Sequence, residues 1–317
     1  MRFARTLKGF INIRYGLRVI TGLLIRMPVH AQTYRIGGAD QYPMVTRRVY
    51  ILNGKLHEVE VPYIPGSSVK GRMRSLLELS NGFKLYSTDQ KIWQHTRNLS
   101  AMGVKEFAND VTNRCIIDDL FGYPAVNYKQ IYDEFFKIFK EKEGESKAKE
   151  KAQKETNKVF SLLTMTRLLF SDLFPEEKYV NEIYRDKGII SIADFLEEKS
   201  ENRIDRVTAA ADPRDIVRVK PEVRFEGSLT MLIFDIDKDV MNIYLDTLVK
   251  GFKLIEMTYL GGSGSRGYGR VKFRDFNVEV VKLPELKTVY SASYGNVDEF
   301  ADNVKKIVEE ISKHIFK

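Results

Sequence analysis

The chain has 317 residues, 43% of them hydrophobic and 30% charged, which supplies one large or two ordinary cores and excludes global disorder. Its one cysteine, Cys115, excludes an internal disulfide and any Cys-rich zinc site, so a reducing, cytoplasmic setting is expected. The formal charge of +8 is uneven: residues 1–55 hold ten Lys and Arg side chains and one carboxylate, Asp40, so nearly all the excess lies in the first sixth of the chain.

A concentrated positive field is the footprint of a polyanion. Nucleic acid is the first candidate and an anionic membrane surface the second; a merely solvated basic surface is the plain alternative. No apolar stretch reaches the roughly 18 residues of a membrane span. The opening Met1-Arg2-Phe3-Ala4-Arg5 does not read as a secretory signal, because basic residues interrupt it.

In chain order, residues 11–25 alternate. Ile11, Ile13, Tyr15, Leu17, Val19, Leu23 and Ile25 share one face of a predicted strand, with Gly16 as a place to bend. A loop at 31–43 carries Asp40. Asn53-Gly54 between two β-rich runs predicts a hairpin. A helix follows over 67–79, with Ser67 or Ser68 as N-cap and an apolar stripe of Val69, Met73, Leu76 and Leu77. It carries Lys70, Arg72 and Arg74 near its start, where cations oppose the helix dipole, and a phosphate there would remove the conflict.

Residues 83–199 read as a mostly helical insertion. It includes a Lys/Glu run at 129–158, taken as a solvated or partly flexible helix, and a buried helix around 162–174. Asn202 to Arg214 reads as an exposed hairpin arm. Alternation returns at 223–233, and a helix with Met241, Leu245, Leu248, Phe252 and Ile255 inward follows. Five of the ten residues Gly261–Arg270 are glycine. With Arg266 and Arg270, such a loop can bring backbone N–H groups to phosphates. It is neither a Walker loop nor a dinucleotide fingerprint, since a strand over 271–281 follows it. A polar helix near 296–316 ends the chain.

Strand, helix, hairpin (about 204–235), helix, strand is the plan of an α+β, ferredoxin-like fold, as in RNA-recognition modules. The core is expected over 1–82 and 200–317, with the insertion at 83–199 between. Two readings of Asp40 are open: a metal or ribose ligand in a positive field, or the ion partner of a nearby arginine. His30, His57, His95 and His314 show no metal-ligand spacing among themselves, although His30 or His57 could serve as a ribonuclease base.

Several segments together resemble the RAMP superfamily of CRISPR-associated proteins. They are Ile36-Gly37-Gly38-Ala39-Asp40, Tyr63 to Arg74, Asp118-Asp119-Leu120-Phe121-Gly122, Ile204 to Thr208 with Pro213-Arg214, and Gly261 to Gly269. The likeness is strongest to the repeated backbone subunit of type III, Csm-type effector complexes, the third Csm subunit. The resemblance implies a ferredoxin-like core with a thumb-like β-hairpin and a subunit that binds a CRISPR guide RNA and a complementary target RNA. Its partners would be other copies or paralogues of the same fold and further subunits of the complex. It implies target-RNA cutting by Asp40 with Mg²⁺ or Mn²⁺ held there. It places guide-RNA contacts at Arg47, Ser67, Ser68, Lys70, Arg72 and Arg74, beside the arginines of the glycine loop, Arg266 and Arg270. The chain departs from the family in its long insertion and in lacking the cysteine cluster of the zinc site that some members carry. The alternatives are a non-catalytic guide-binding scaffold and a metal-independent guide-processing ribonuclease.

Overall fold

The computed structural model describes residues 5–28 and 41–317. Asp40, Arg35 and His30 lie outside the described residues. Strand β1 (Leu7–Val19) is followed by a hairpin of β2 (Val45–Leu52) and β3 (Lys55–Pro62), whose turn residues Asn53 and Gly54 both have positive φ. Helix α1 (Gly66–Ser80) comes next, and then α2 (Leu99–Met102), α3 (Val104–Thr112), α4 (Ile116–Phe121), α5 (Tyr128–Glu143) and α6 (Glu145–Phe160). Two short strands, β4 (Leu168–Phe170) and β5 (Phe174–Pro175), lead to α7 (Glu177–Lys187). The arm is β6 (Leu196–Ile204) and β7 (Ala211–Val219). The chain then runs through β8 (Arg224–Phe234), α8 (Met241–Met257), β9 (Val271–Lys282) and β10 (Lys287–Asn296), and finishes with α9 (Val297–Asp302) and α10 (Val304–His314).

The main sheet has the order β10-β9-β1-β8-β4, with β5 also pairing β8, and every pairing is antiparallel. Strands β9, β1, β8 and β4, with α1 and α8 on one face, form the ferredoxin-like core. Alternation in β1 decides which face is covered: Ile11, Ile13, Tyr15, Leu17 and Val19 are buried under the helices. The β1–β9 register shifts between Arg14 and Gly16, where the sequence offers a bend. Phe252 of α8 meets Tyr15 and Phe273 edge-on, with ring centroids 5.3 and 4.8 Å away. Gly251 lets α8 approach α1, since a Cβ there would overlap Met73. No helix among the described residues is long and apolar enough to cross a membrane.

Three expectations change. The segment 162–174 is not a buried helix: it holds β4 and β5, and β4 is the fourth core strand, inside the range read as insertion. Leu168-Leu169-Phe170 is too short for its period to separate strand from helix. The arm spans 196–219, and β8 belongs to the core sheet rather than to a hairpin ending at 235. The 129–158 run is an ordered helical hairpin, in which Ile131, Phe135, Ala152 and Val159 pack with Val104, Phe107 and Val111. An extra edge strand, β10, precedes the terminal helices.

The helical segment is joined to the core by buried ions. Asp119 accepts from Arg97 Nη1 (2.7 Å), Arg114 Nε (3.0 Å) and Tyr244 Oη (2.6 Å). Asp237 accepts from Arg114 Nη2 (2.8 Å) and from Arg167 Nη2 (2.7 Å) and Nε (3.0 Å). Burial alone would raise the Asp119 pKa, but Arg97 and Arg167 outweigh it and the carboxyl is held below its ordinary value. Asp119→Ala leaves two inward arginines without that partner, and we expect a loss of about 3–5 kcal/mol in urea unfolding. A loss under about 1 kcal/mol, within the range of exposed pairs, would show that the network is not what joins the two parts.

Candidate nucleic-acid interface

Four segments meet at the root of the arm. Leu23 and Val219 exchange two backbone hydrogen bonds of 2.9 Å, so the chain after β1 continues into the arm's base. The glycine loop lies on the same segment: Gly262 N donates to Leu24 O (2.8 Å) and Gly269 N to Gly22 O (3.0 Å). Gln41, the residue that follows Asp40, accepts from Val217 N of β7 (3.0 Å). Met27 N also donates to Tyr42 O (2.9 Å), which joins residues 27 and 42 beside the arm root.

Tyr268 fastens the arm to the loop. It is fully buried with Leu24 and Ile216, and its hydroxyl donates to Glu201 Oε1 of β6 at 2.6 Å. Lys199 and Arg218 lie over its ring, at 4.6 and 4.5 Å from the centroid. That hydrogen bond, with help from Lys199, holds the Glu201 carboxyl below the ordinary range. Beyond this root the arm is exposed to its tip, where Asp205 Oδ1 accepts from the backbone N–H groups of Val207 (2.9 Å) and Thr208 (2.7 Å). Those bonds shape a turn that leaves Val207 93% exposed, an apolar tip flanked by Arg203, Arg206 and Arg214.

The expected RNA contacts separate into three groups. Arg72, Arg266 and Arg270 gather around the loop. Arg72 stacks on Tyr259 and donates from Nε to Tyr259 O (2.9 Å), Arg266 lies 3.6 Å from Glu201, and Arg270 reaches Met257 O (3.4 Å). Lys70 is half-buried one short step along α1 from Arg72; burial and then Arg74 lower its pKa. Ser67 and Ser68 lie in the first turn of α1, exposed and half-buried. Arg47 is apart from them, exposed on β2 and 3.7 Å from Glu58.

Arg74 is occupied elsewhere. It donates to Glu78 Oε1 (2.7 Å), Gly122 O (2.7 Å), His95 O (2.5 Å) and Asp118 Oδ1 (2.8 Å), so it holds protein rather than facing a ligand. Neither serine caps the helix: Pro65 is at the N-cap position, and Gly66 N donates to Asp172 Oδ1 (2.8 Å). An aspartate supplies the anion that a phosphate was expected to provide. The glycine loop is likewise no open phosphate cradle. At least four of its amides donate to protein carbonyls, and a Cβ at Gly261 would lie 2.5 Å from Leu24 O. Its glycines serve chain-to-chain approach.

His57 packs against Tyr184 (centroids 5.2 Å apart) on the β2–β3 hairpin, which favours a structural role. The open sheet face is no stacking platform at its middle. A cleft of about 500 Å³ there is lined by Asn12, Arg14, Ser228, Thr230, Asn277 and Glu279, none aromatic. Sequence reading missed Tyr268, whose signal was one aromatic inside a glycine run. It also missed a cluster of His95, Asp110, Cys115 and Asp118, whose donor atoms lie within 4.8 Å of one another.

Residues 54–272 match the sequence model of the RAMP superfamily. The chain belongs to that superfamily. It is 32% identical over 235 residues to the protein named CRISPR system Cms endoribonuclease Csm3 in Streptococcus thermophilus, covering 72% of this chain and 79% of that one. The protein of the same name from Methanothermobacter thermautotrophicus is 28% identical over 280 residues, covering 88% and 87%. The crystal structure of Methanopyrus kandleri Csm3 aligns over 96% of this chain and 98% of its own, with a TM-score of 0.52 and 19% identity, a likeness of fold. This RAMP chain is thus Csm3-like.

Tyr268→Phe removes the hydrogen bond to a charged acceptor and should weaken the arm's attachment by about 1–3 kcal/mol. Hydrogen exchange should rise in β6 and β7 and stay unchanged in β1 and β8; unchanged arm exchange would sink this account. Because the folded Glu201 pKa is depressed, the contact is fully present above the ordinary glutamate range and is lost as pH falls through the lower folded value. Arm exchange should therefore accelerate on acidification in the wild type and less so in the variant.

Proposed function

We propose that the chain is the guide-RNA-binding backbone subunit of a type III CRISPR effector complex and cuts the complementary target RNA with Asp40 and a divalent metal. The observation that carries this reading is the junction of arm, glycine loop and Gln41. It sets Gln41, the residue after Asp40, against the root of the long exposed hairpin of a Csm3-like chain. Base pairing with the guide would read sequence, while the protein would hold backbone and shape. Lys70, Arg72, Arg266 and Arg270 would meet phosphates, with Ser67 and Ser68 as neutral donors. Val207 at the arm tip suits a wedge against a base step.

In the cutting step the ribose 2′-hydroxyl, oriented by Asp40, attacks the adjacent phosphorus as it loses its proton. The 5′-oxygen leaves and gains a proton, and the upstream fragment ends in a 2′,3′-cyclic phosphate. A bound Mg²⁺ or Mn²⁺ would offset charge on the scissile phosphate. Val49, Ile51 and Leu56, exposed on β2 and β3, suit contact with a neighbouring copy or paralogue in the assembly. Such a complex would work in the cytoplasm.

Asp40→Ala in the purified complex should abolish target cutting and leave guide content and assembly unchanged, as EDTA should for cutting by the wild type. Cutting at the wild-type rate would transfer the reading to a non-catalytic scaffold. Changing Lys70 and Arg72 together to Ala should weaken guide binding and flatten the plot of log affinity against log salt by about 1.4, two phosphate contacts at roughly 0.7 each. An unchanged slope would take both residues off the RNA.

A further inference from the structure

At the β5 end of the open sheet face, β1, β2, β5, β8 and β9 enclose a cleft of about 600 Å³. Its volume suits one nucleotide-sized ligand. Most of the acids in its wall are already answered. Arg274 Nη2 donates to Glu176 Oε1 (2.5 Å), Arg274 Nη1 lies 3.1 Å from Asp275 Oδ2, and Gly66 N donates to Asp172 Oδ1 (2.8 Å). Three charged side chains of the wall are left over. Arg14 of β1, Arg48 of β2 and Glu226 of β8 make no hydrogen bond or ion pair with any described residue. Strand pairing sets Glu226 between Gly16 of β1 and Phe174 of β5, so no long side chain stands beside it on β1.

Stacking keeps Arg48 from closing onto the carboxylate. Its guanidinium carbon lies 4.0 Å from the centroid of the Phe174 ring, and that ring stacks on Tyr63 in turn, with centroids 6.0 Å apart. Loss of hydration in the cleft raises the Glu226 pKa; Arg48 and Arg14 pull it down, and Glu176 and Glu177 add to the rise. The carboxylate therefore feels both guanidiniums and touches neither. The slot between them has an acceptor pair on one wall, donors on another and a flat cation as a stacking plane. A planar ligand that fits must offer two adjacent N–H donors on one edge and acceptors on the next. Guanine does so, with N1–H and the N2 amino group beside O6 and N7. Adenine and cytosine have an amino group with no ring N–H beside it, and uracil has a ring N–H with no amino group.

We propose that this cleft binds a guanine base: Glu226 accepts from N1–H and the N2 amino group, Arg14 donates to O6 and N7, and Arg48, braced on Phe174, stacks on the ring. Two sources present the same base, a free guanosine nucleotide and an unpaired guanosine of a bound RNA. The second is within reach because the cleft adjoins the start of α1, where Asp172 of its wall holds Gly66 N. With RNA as the source the inference rests on the function proposed above; with a free nucleotide it stands alone.

The test is calorimetric titration of the full chain, purified free of nucleic acid, with GMP, IMP and AMP in one arm. The other arm uses two single-stranded RNA hexamers at the same salt, one all adenosine and one with a single guanosine. GMP should bind at least about ten-fold more tightly than IMP, which lacks the N2 amino group and so one charge-assisted hydrogen bond, and AMP should bind more weakly than GMP by at least as much. Glu226→Gln, at an exposed position, should keep the wild-type melting temperature and lose the preference for guanine. A preference in both arms supports a pocket open to both sources; a preference in one arm alone supports the proposal and assigns the source. Equal binding of GMP and AMP together with equal binding of the two hexamers would overturn it, as would a guanine preference that survives Glu226→Gln. The wild-type comparison decides the matter even if the variant fails to fold. Neither arm measures cutting, so failure here leaves the function proposed above standing.

Discussion

The structure depends on how its arginines are divided between the interior and the surface. Arg97 and Arg167 are almost wholly buried and Arg114 largely so, and the three converge on Asp119 and Asp237. Buried charges are tolerable only when each is answered at short range. Here the answers come from different parts of the chain: Arg97, Arg114 and Asp119 from the helical segment, Arg167 from the approach to β4, and Asp237 with Tyr244 from the core. The helical segment is therefore held to the sheet by matched charges as much as by apolar contact.

Arg74 extends this division into α1. It faces inward, bound to Glu78, Asp118 and two carbonyls; Lys70 lies one turn before it on the same face, while Arg72 turns to Tyr259. The helix thus has an internal ionic contact that fixes its position and, at Arg72, an outer cation beside the glycine loop. Tyr268 does the corresponding work at the arm, joining β6 to the glycine loop through Glu201. A long exposed hairpin has little core of its own, so its direction depends on such root contacts.

Much of the core was legible because its burial follows simple periods. The odd residues of β1 and the run Val223, Phe225, Leu229, Met231 and Ile233 are the inner face of the sheet, and Met241 to Ile255 is the inner stripe of α8. The three-residue β4 and the partly polar edge strand β10 carry no usable period and were missed. The arm was seen but drawn too late, because its mostly polar strands begin at Leu196 and the apolar alternation of β8 merged with it. In the site, the sequence put Lys70, Arg72 and Arg74 near the start of α1. It could not show that Asp118, 44 positions beyond Arg74, would fold back onto it. Glycine density in 261–270 was read as phosphate chemistry, although its physical cause is the passage of Leu24 and Leu260 carbonyls against the loop. The His95 cluster was hidden for the same reason: only the Cys115 to Asp118 spacing is local.

The central claim is that the outer edge of α1, the glycine loop and the arm form one continuous RNA track. Ultraviolet cross-linking of the native ribonucleoprotein, read by peptide mass spectrometry, tests it most directly. The account predicts RNA adducts on peptides containing Ser67–Arg72, Arg203–Arg214 and Arg266–Arg270. Adducts confined to the helical hairpin at 128–160 or to the open face of the sheet would contradict it.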